Sequence, residues 1–475
     1  MTARRHRLPV ALLVLVTGCV QGPDYVKPPV EVPANYRLGD QRPGSDELAT
    51  DASWWNSFGD QHLDELVRQA LANNRDLMIA SARVDEYAAI LEGTQSQAYP
   101  HIGYGLSANR SRASADVIPS FVHPLSTNFS AILSASWEID LWGRIRRETE
   151  AARANLLATE EARQGVTLTI ISSVIASYIT LLDLDEQARV TRATIAGRKQ
   201  WVDLFETRLK AGWISEFEMS QARGEYEAAV AQLPPILNAI AVQENALSVL
   251  VGRNPASVAR GGTLDTLGMP AVPVGLPSEL LMRRPDIRQA EQQLVASNAL
   301  IGAARAEFFP RISLTGLLGL ASSSLGNLFQ GSSRTWSFTG DVAGPIYTGG
   351  GVQSAVDQAS ARRAQSLANY ELVIQNAFRD VDDSLADLQH SAELRDTLQR
   401  RVATLTRSVE LARARYENGY SDYIDLLDAE RSLFSAQLQL GAVRGDYDRA
   451  LVNLYRALGG NWTDAAPVAP APTGG

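Results

Sequence analysis

The sequence predicts a mainly α-helical fold with a small β part. The expected form is a long α-helical coiled-coil barrel continuous with a transmembrane β-barrel, four strands per protomer, built from two internal repeats. Three observations predict it. Residues 143–210 and 350–418 contain no proline and are dominated by Ala, Leu, Arg, Glu and Gln, with apolar positions three and four apart. Short runs at matched places in each half alternate apolar and polar residues. Finally, Ala98-Tyr99-Pro100-His101-Ile102 returns 210 residues later as Phe308-Phe309-Pro310-Arg311-Ile312, and Arg208-Leu209-Lys210-Ala211-Gly212 returns 207 residues later as Arg415-Tyr416-Glu417-Asn418-Gly419.

The first element is a targeting signal. Arg4, Arg5 and Arg7 precede an apolar run from Leu8 to Val16, and Thr17-Gly18 precede the single cysteine, Cys19. A basic start, a short apolar stretch and small residues describe a secretory signal peptide over 1–18. The stretch is too short to cross a bilayer, which needs about 20 apolar residues. Val16-Thr17-Gly18-Cys19 resembles the bacterial lipobox, which makes Cys19 the expected lipidation site and the mature N-terminus. Residues 19–53, opening with the proline-rich Gly22-Pro23-Asp24-Tyr25-Val26-Lys27-Pro28-Pro29, read as a lipidated N-terminal tether.

Two repeats follow, at 54–252 and 278–460, joined by a Gly- and Pro-rich linker over 253–277 and followed by a disordered tail over 461–475. Strands are expected at about 102–112 and 128–142 in the first repeat, and at about 311–321 and 335–346 in the second. From Phe129 to Leu141 the odd positions are apolar and the even ones mostly polar, ending in Glu138 and Asp140; Trp336, Phe338 and Val342 repeat this against Thr339 and Asp341. Apolar-out, polar-in runs of about ten residues fit a membrane barrel. Leu133, Trp137 and Trp336 would then face lipid, with Trp137, Trp142 and Trp336 as interface girdles, and Glu138, Asp140 and Asp341 would face the lumen. The proline-free helices are each about 100 Å long at 1.5 Å per residue.

Later segments offer no run of 18 consecutive apolar residues, so a bilayer crossing would have to be a barrel. Four strands cannot close one. Copies of the chain must share strands, eight for a dimer or twelve for a trimer, and the physics prefers a trimer or larger without fixing the number.

Composition excludes several classes. A net charge of −9 argues against a nucleic-acid partner. One cysteine and five scattered histidines offer no metal-ligand spacing. Thr348-Gly349-Gly350-Gly351 lacks a Walker lysine and reads as a strand-to-helix turn, and no GxSxG elbow occurs. No enzyme, metal site or cofactor is expected, apart from covalent lipid on Cys19.

Asp425 and Asp428 stand at i and i+3 on one helix and share a face, and Arg431 follows at the same spacing. In a symmetric ring such carboxylates would concentrate negative charge at an aperture, a device for cation selectivity; on a lone helix they are a solvated face with intrahelical pairs.

Trp54-Trp55 with Phe58, Leu77 and Pro100, then 276–287 with Arg283-Arg284-Pro285-Asp286-Ile287-Arg288, then Ala303 to Gly316 with Phe308-Phe309-Pro310-Arg311, resemble the bacterial outer membrane efflux proteins. These are the TolC-like outer membrane factors, and the lipobox points to their lipoprotein branch, the OprM/NodT type. The resemblance covers essentially all of 19–460. It implies a homotrimer, a 12-stranded barrel in the cell outer membrane and a helical tunnel across the periplasm. It implies a periplasmic adaptor (a membrane fusion protein) and an inner membrane RND-type transporter as partners, and palmitate on Cys19. Val20, rather than Asp, after Cys19 fits outer membrane delivery on the family's sorting habit. Residue by residue, Asp425 and Asp428 match the acidic rings of the periplasmic constriction and Arg431 a position just above. Tyr416 matches the gating tyrosine and Glu218 its acidic partner, while Ser421 departs from the arginine that some members carry. Gly212 and Gly419 match the hairpin tips that meet the adaptor. The expected function is a passive exit duct of a tripartite efflux system. A type I protein-secretion duct and a non-conducting envelope scaffold are the alternatives, and conductance separates the scaffold from the ducts.

Overall fold

The structure, a computed structural model, describes residues 20–38, 54–114, 116, 117, 119, 121, 123–268 and 277–460. The expected signal peptide 1–18, the lipidation site Cys19 and the tail 461–475 lie outside the described residues, as do 39–53 of the tether and 269–276 of the linker.

In chain order the elements are α1 (Gln61–Asn73), α2 (Arg75–Ser96), β1 (His101–Arg112), β2 (Leu125–Ile139), α3 (Arg144–Lys210), α4 (Glu216–Leu250), α5 (Pro277–Arg283), α6 (Pro285–Ala306), β3 (Arg311–Ser322), β4 (Arg334–Ala343), α7 (Gly351–Glu417) and α8 (Tyr423–Ala457). The long helices α3 and α7 have 67 residues each, and α4 and α8 have 35 each. The chain forms two compact units, one from Met1–Pro29, Arg83–Glu160 and Gln289–Glu371, the other from Val30–Ala82, Glu161–Arg288 and Leu372–Gly475.

The first unit is built on an antiparallel sheet in the order β1-β2-β3-β4. Cross-strand partners share a face, so the register sorts the side chains. Tyr104, Leu133, Leu318 and Trp336 form one row across all four strands, and Trp137 pairs with Leu314 on the same face. The opposite face carries Ser134 and Ser337, the Ser107–Ser130 hydroxyl pair at 2.7 Å, and the row Glu138, Ser313, Asp341. Leu133, Trp137 and Trp336 thus share an apolar, exposed face, and Glu138 and Asp341 a hydroxyl-rich one.

Four expectations about the sheet and its ends are corrected. β2 begins at Leu125 and stops at Ile139, short of 142. Asp140 therefore lies beyond the strand: its carboxylate accepts from the backbone N–H groups of Ile145 (3.2 Å) and Arg146 (2.9 Å), which caps α3 instead of lining a barrel. Trp142 is not a girdle residue either, because its indole donates to the Pro310 carbonyl at 2.8 Å and stacks on Phe309 at 4.6 Å. β4 ends at Ala343 rather than 346, where Pro345 lacks the N–H a ladder needs.

The proline-rich segment is not a free tether. Arg147, buried at the start of α3, donates to the Gln21 carbonyl at 3.0 Å and pairs with Asp24 at 2.8 Å. Asn298 donates to the Pro23 carbonyl (2.9 Å), and Lys27 pairs with Glu291 (2.7 Å).

In the second unit, Trp54 stacks on Tyr455 with centroids 4.4 Å apart. Asp60 caps α1 and also accepts from the buried Tyr178 hydroxyl at 2.7 Å, which in turn accepts from the Gly261 N–H at 2.9 Å. The described part of the linker, 253–268, is thereby packed, and Arg260 pairs with Asp185 at 2.8 Å. Arg284 of the Arg-Arg-Pro-Asp stretch binds the Ala457 carbonyl at the end of α8 (3.0 Å), together with Asp286 (2.7 Å) and Asp380 (3.1 Å). One window of α3 is long and apolar enough to cross a membrane, yet 56% of it is buried in the chain. Val174, Ile175, Tyr178 and Ile179 in it are fully buried, which makes it core.

Candidate functional site

The sequence-predicted gate residues come together where α3 turns into α4 and α7 into α8. Both turns end on a left-handed glycine, Gly212 and Gly419, each at φ 75°. The Trp213 N–H reaches back to the Arg208 carbonyl (2.9 Å) and the Tyr420 N–H to that of Arg415 (2.8 Å), the long return bond of a glycine-capped helix end. No heavy atom lies within 4 Å of a Cβ built on either glycine, so backbone conformation, not space, requires glycine there. Just beyond the turns, Trp213, Phe217 and Tyr420 stand more than 70% exposed.

Behind the turns lies an apolar cluster: Trp201 and Phe205 of α3, Met219 and Ala222 of α4, Tyr423, Leu426 and Leu427 of α8. Phe205 and Tyr423 meet edge-on at 4.6 Å, and Tyr416 of α7 packs on Trp201 at 5.8 Å. Burying side chains of this size contributes about 1.5–3 kcal/mol each. The cluster, not the polar contacts around it, holds the four helix ends together.

The polar contacts are arranged differently from expectation. The Tyr416 hydroxyl accepts from Arg208 at 3.0 Å, and the Arg208 guanidinium lies 5.8 Å from the tyrosine ring centre. It does not bond Glu218. That carboxylate accepts from the Ser215 N–H at 2.8 Å and hydroxyl at 3.0 Å while the Ser215 hydroxyl accepts from the Glu218 N–H, a capping box that opens α4. Burial, aided by the nearby Glu218 charge, pushes the Tyr416 hydroxyl pKa up. Ser421, in the place of the arginine, is partly buried and its hydroxyl lacks a hydrogen-bond partner among the described residues.

Asp425 and Asp428 are both exposed on α8. Asp428 pairs with Arg431 at 3.2 Å, whereas Asp425 has no ion pair among the described residues. Arg431 also binds Glu225 on α4. Glu225 is held from its other side by the buried Arg198 of α3 at 3.2 Å. The Arg431 hydrogen bond draws the Glu225 carboxyl below its usual pKa, against burial. Trp201 and Arg413 both donate to Glu430, at 3.2 and 3.3 Å. Arg208, Glu225, Arg198 and Glu430 are the residues that sequence reasoning missed. Only Arg208 carried a signal, as the first residue of the repeated turn segment.

At the sheet, Glu138 sits on the hydroxyl face but is bound by Arg144 at 3.0 Å, and Asp341 is exposed. Among the described residues no cluster of His, Cys, Asp or Glu could hold a metal ion.

The chain matches the outer membrane efflux protein family over residues 66–253 and 276–460. The cation efflux system protein CusC of Escherichia coli O6:H1 is 36% identical over 460 residues, 96% of this chain and 98% of its own. The solvent efflux pump outer membrane protein SrpC of Pseudomonas putida is also 36% identical, over 96% of this chain and 98% of its own. A crystal structure of CusC matches with a TM-score of 0.83 over 92% of this chain and 99% of that one, at 36% identity. The open state of the Neisseria gonorrhoeae MtrE outer membrane channel, 29% identical, matches with a TM-score of 0.84 over 93% and 98%. With two unpaired sheet edges, an apolar sheet face and two paired helical hairpins, this chain belongs to the outer membrane efflux proteins, the TolC-like channel family of the bacterial outer membrane.

Proposed function

We propose that three copies of the chain form the exit duct of a tripartite efflux system. The observation that carries this is the sheet: β1 and β4 are its edges, each paired on one side only, and every residue of both is exposed. In lipid each unsatisfied backbone group costs several kcal/mol. Pairing β4 of one copy with β1 of the next continues the antiparallel alternation, and a cyclic ring closes it. Three copies make twelve strands, wide enough for a lumen lined by the hydroxyl face.

A periplasmic adaptor docks on the turns at Gly212 and Gly419, where the exposed Trp213 and Tyr420 supply apolar anchors. An inner membrane RND-type transporter supplies the cargo. Asp425 and Asp428 ring the closed periplasmic end, and lipid on Cys19 fastens each copy to the membrane. The duct itself does not choose the cargo, and the names of relatives support this: at an equal 36% identity they are called cation, solvent and toluene efflux proteins.

Planar-bilayer recording on the purified, full-length protein, with native mass spectrometry of the same sample, is the test. A trimer with discrete conductance steps is expected. A monomer, or a trimer that passes no current even when the end near Asp425 is opened by substitution, would sink the duct reading.

A further inference from the structure

The apolar face of the sheet carries a depression of about 370 Å³. Its floor is Ala135, Gly316 and Gly340, which leave out the side chains that fill neighbouring positions; its walls are Trp137, Leu314 and Phe338. The register explains the shape. Ala135 pairs with Gly316 and Gly316 with Phe338, while Trp137 pairs with Leu314 and Leu314 with Gly340. The dent therefore crosses three strands in two adjacent rows near the helix-proximal end of the sheet. Trp137 is a fixed wall, because its indole N–H donates to the Ala98 carbonyl at 2.9 Å. The space is of the size that small ligands occupy.

Val20 and Gln21 lie beside that same end. The Gln21 N–H donates to the Trp142 carbonyl at 3.1 Å. Gly143 and Gly22 make the docking close: a Cβ on Gly143 would meet Val20 Cγ1 at 2.8 Å, and one on Gly22 would meet Gly302 Cα at 2.4 Å. With Arg147 holding the Gln21 carbonyl, Val20 is fixed beside Gly143, next to Trp142. From Trp142 back to Trp137 is five residues, at most about 17 Å of extended chain. An acyl chain spans half of a hydrocarbon core about 30 Å thick, hence about 15 Å.

We propose that the depression between Trp137 and Phe338 seats an acyl chain carried on Cys19 of the same protomer, an inference that rests on the lipidation reading. The seat is apolar and of matching reach. Tethering also holds the chain at a high local concentration, which untethered membrane lipid lacks. Anchored in this way, the lipid packs on the sheet itself and stiffens the junction at Trp142 rather than serving only as a mooring.

Cells expressing the full chain are fed a fatty acid bearing a diazirine, irradiated, and adducts on the purified protein are mapped by mass spectrometry. The mass of the mature N-terminal peptide, read in the same run, checks acylation of Cys19 independently. Adducts should concentrate on the peptides holding Leu314–Gly316 and Phe338–Gly340. They should fall at least fivefold in Gly340→Leu, where a new Cβ meets only Leu314 Cδ2 at 3.6 Å, and in exported Cys19→Ser. If Gly340→Leu does not assemble, Cys19→Ser gives the comparison with the sheet untouched. An acylated Cys19 with adducts spread evenly over the apolar face overturns the seat alone. Undiminished adducts in Cys19→Ser assign the depression to free membrane lipid and overturn it too. A mature N-terminus without acyl groups overturns the lipidation reading and the seat together.

Discussion

Arg431 on α8 holds the Glu225 carboxylate on α4 while its other guanidinium nitrogen reaches Asp428 at 3.2 Å. One arginine therefore ties the two hairpins together and offsets the Asp428 carboxylate as well. Arg431 is half exposed, so the tie contributes only about 0–1 kcal/mol in each copy. Three copies would hold a ring of helix ends shut by a few kcal/mol, small enough for a docking partner to overcome.

Glu225→Gln or Arg431→Gln should therefore raise open-channel probability, by up to about tenfold for about 1.4 kcal/mol lost. The pH sign follows from the depressed Glu225 pKa: the tie is present above the ordinary glutamate value of about 4.3 and lost as pH falls through the lower folded value. Bilayer currents at pH 5 and pH 7 check both points. Parent channels at pH 5 that behave like Glu225→Gln would count against the tie.

Tyr416 is coupled to Arg208, not to Glu218. A hydrogen bond to a charged group contributes about 1.5–3 kcal/mol, and residues that share one are non-additive. A double-mutant cycle on thermal stability should give a coupling of about 1 kcal/mol or more for Tyr416→Phe with Arg208→Met. The cycle with Glu218→Ala should be additive to within about 0.5 kcal/mol. The reverse pattern would restore the bond expected from sequence.

The sheet faces predict a contrast between neighbours. Leu133 lies in the apolar row with Tyr104, Leu318 and Trp336, and Ser134 in the row with Gly103, Leu317 and Ser337. An arginine on the lipid face at mid-bilayer costs about 2–4 kcal/mol, and far less in a lumen. Leu133→Arg should deplete assembled protein in the membrane, and Ser134→Arg should leave it near the parent level. Equal depletion on a native gel would contradict the orientation.

Asp425 and Asp428 differ in what opposes their charge. Arg431 offsets Asp428, while Asp425 has no ion pair among the described residues. Rings of carboxylates bind cations at a constriction. Asp425→Ala should weaken block by a multivalent cation more than Asp428→Ala does, and the double variant most. Titrating block of single channels with a trivalent cation measures this; unchanged block in the double variant would leave both acids as a solvated helix face.

The long helices were legible because two physical signals agree at each end. Proline is missing throughout, and a glycine that tolerates left-handed backbone stands at Gly212 and Gly419. The strands were legible from their period of two. Their ends were not, since alternation cannot tell a last strand residue from an acid that caps the next helix, and Asp140 is the second kind. Proline content likewise described the backbone of 22–29 but not its partners, Arg147 of α3 and Glu291 and Asn298 of α6, which come from two distant helices. The same limit hid Glu225. It is 206 residues from Arg431, and only folding shows that two nearly repeat-related positions face each other.

The last prediction concerns Asp448 of α8, which is 2% exposed. One of its carboxylate oxygens has no hydrogen-bond partner among the described residues. Burial raises its pKa to about 7, although Arg395, Arg449 and Arg444 pull the other way. The folded state thus binds this proton more tightly than the unfolded chain, whose aspartate titrates near 3.9. The sign is the reverse of a salt-bridged acid. The protonated form stabilises the fold fully below about pH 4, and that stability is lost as pH rises toward 7, by on the order of 4 kcal/mol at 1.36 kcal/mol per unit. Asp448→Asn keeps the shape and removes the titration. Its thermal stability, followed by helical circular dichroism in detergent, should change less than the parent's between pH 5 and pH 8. It should also exceed the parent's at pH 8. Parallel curves for the two proteins would mean that Asp448 is ionised and compensated by the three arginines throughout.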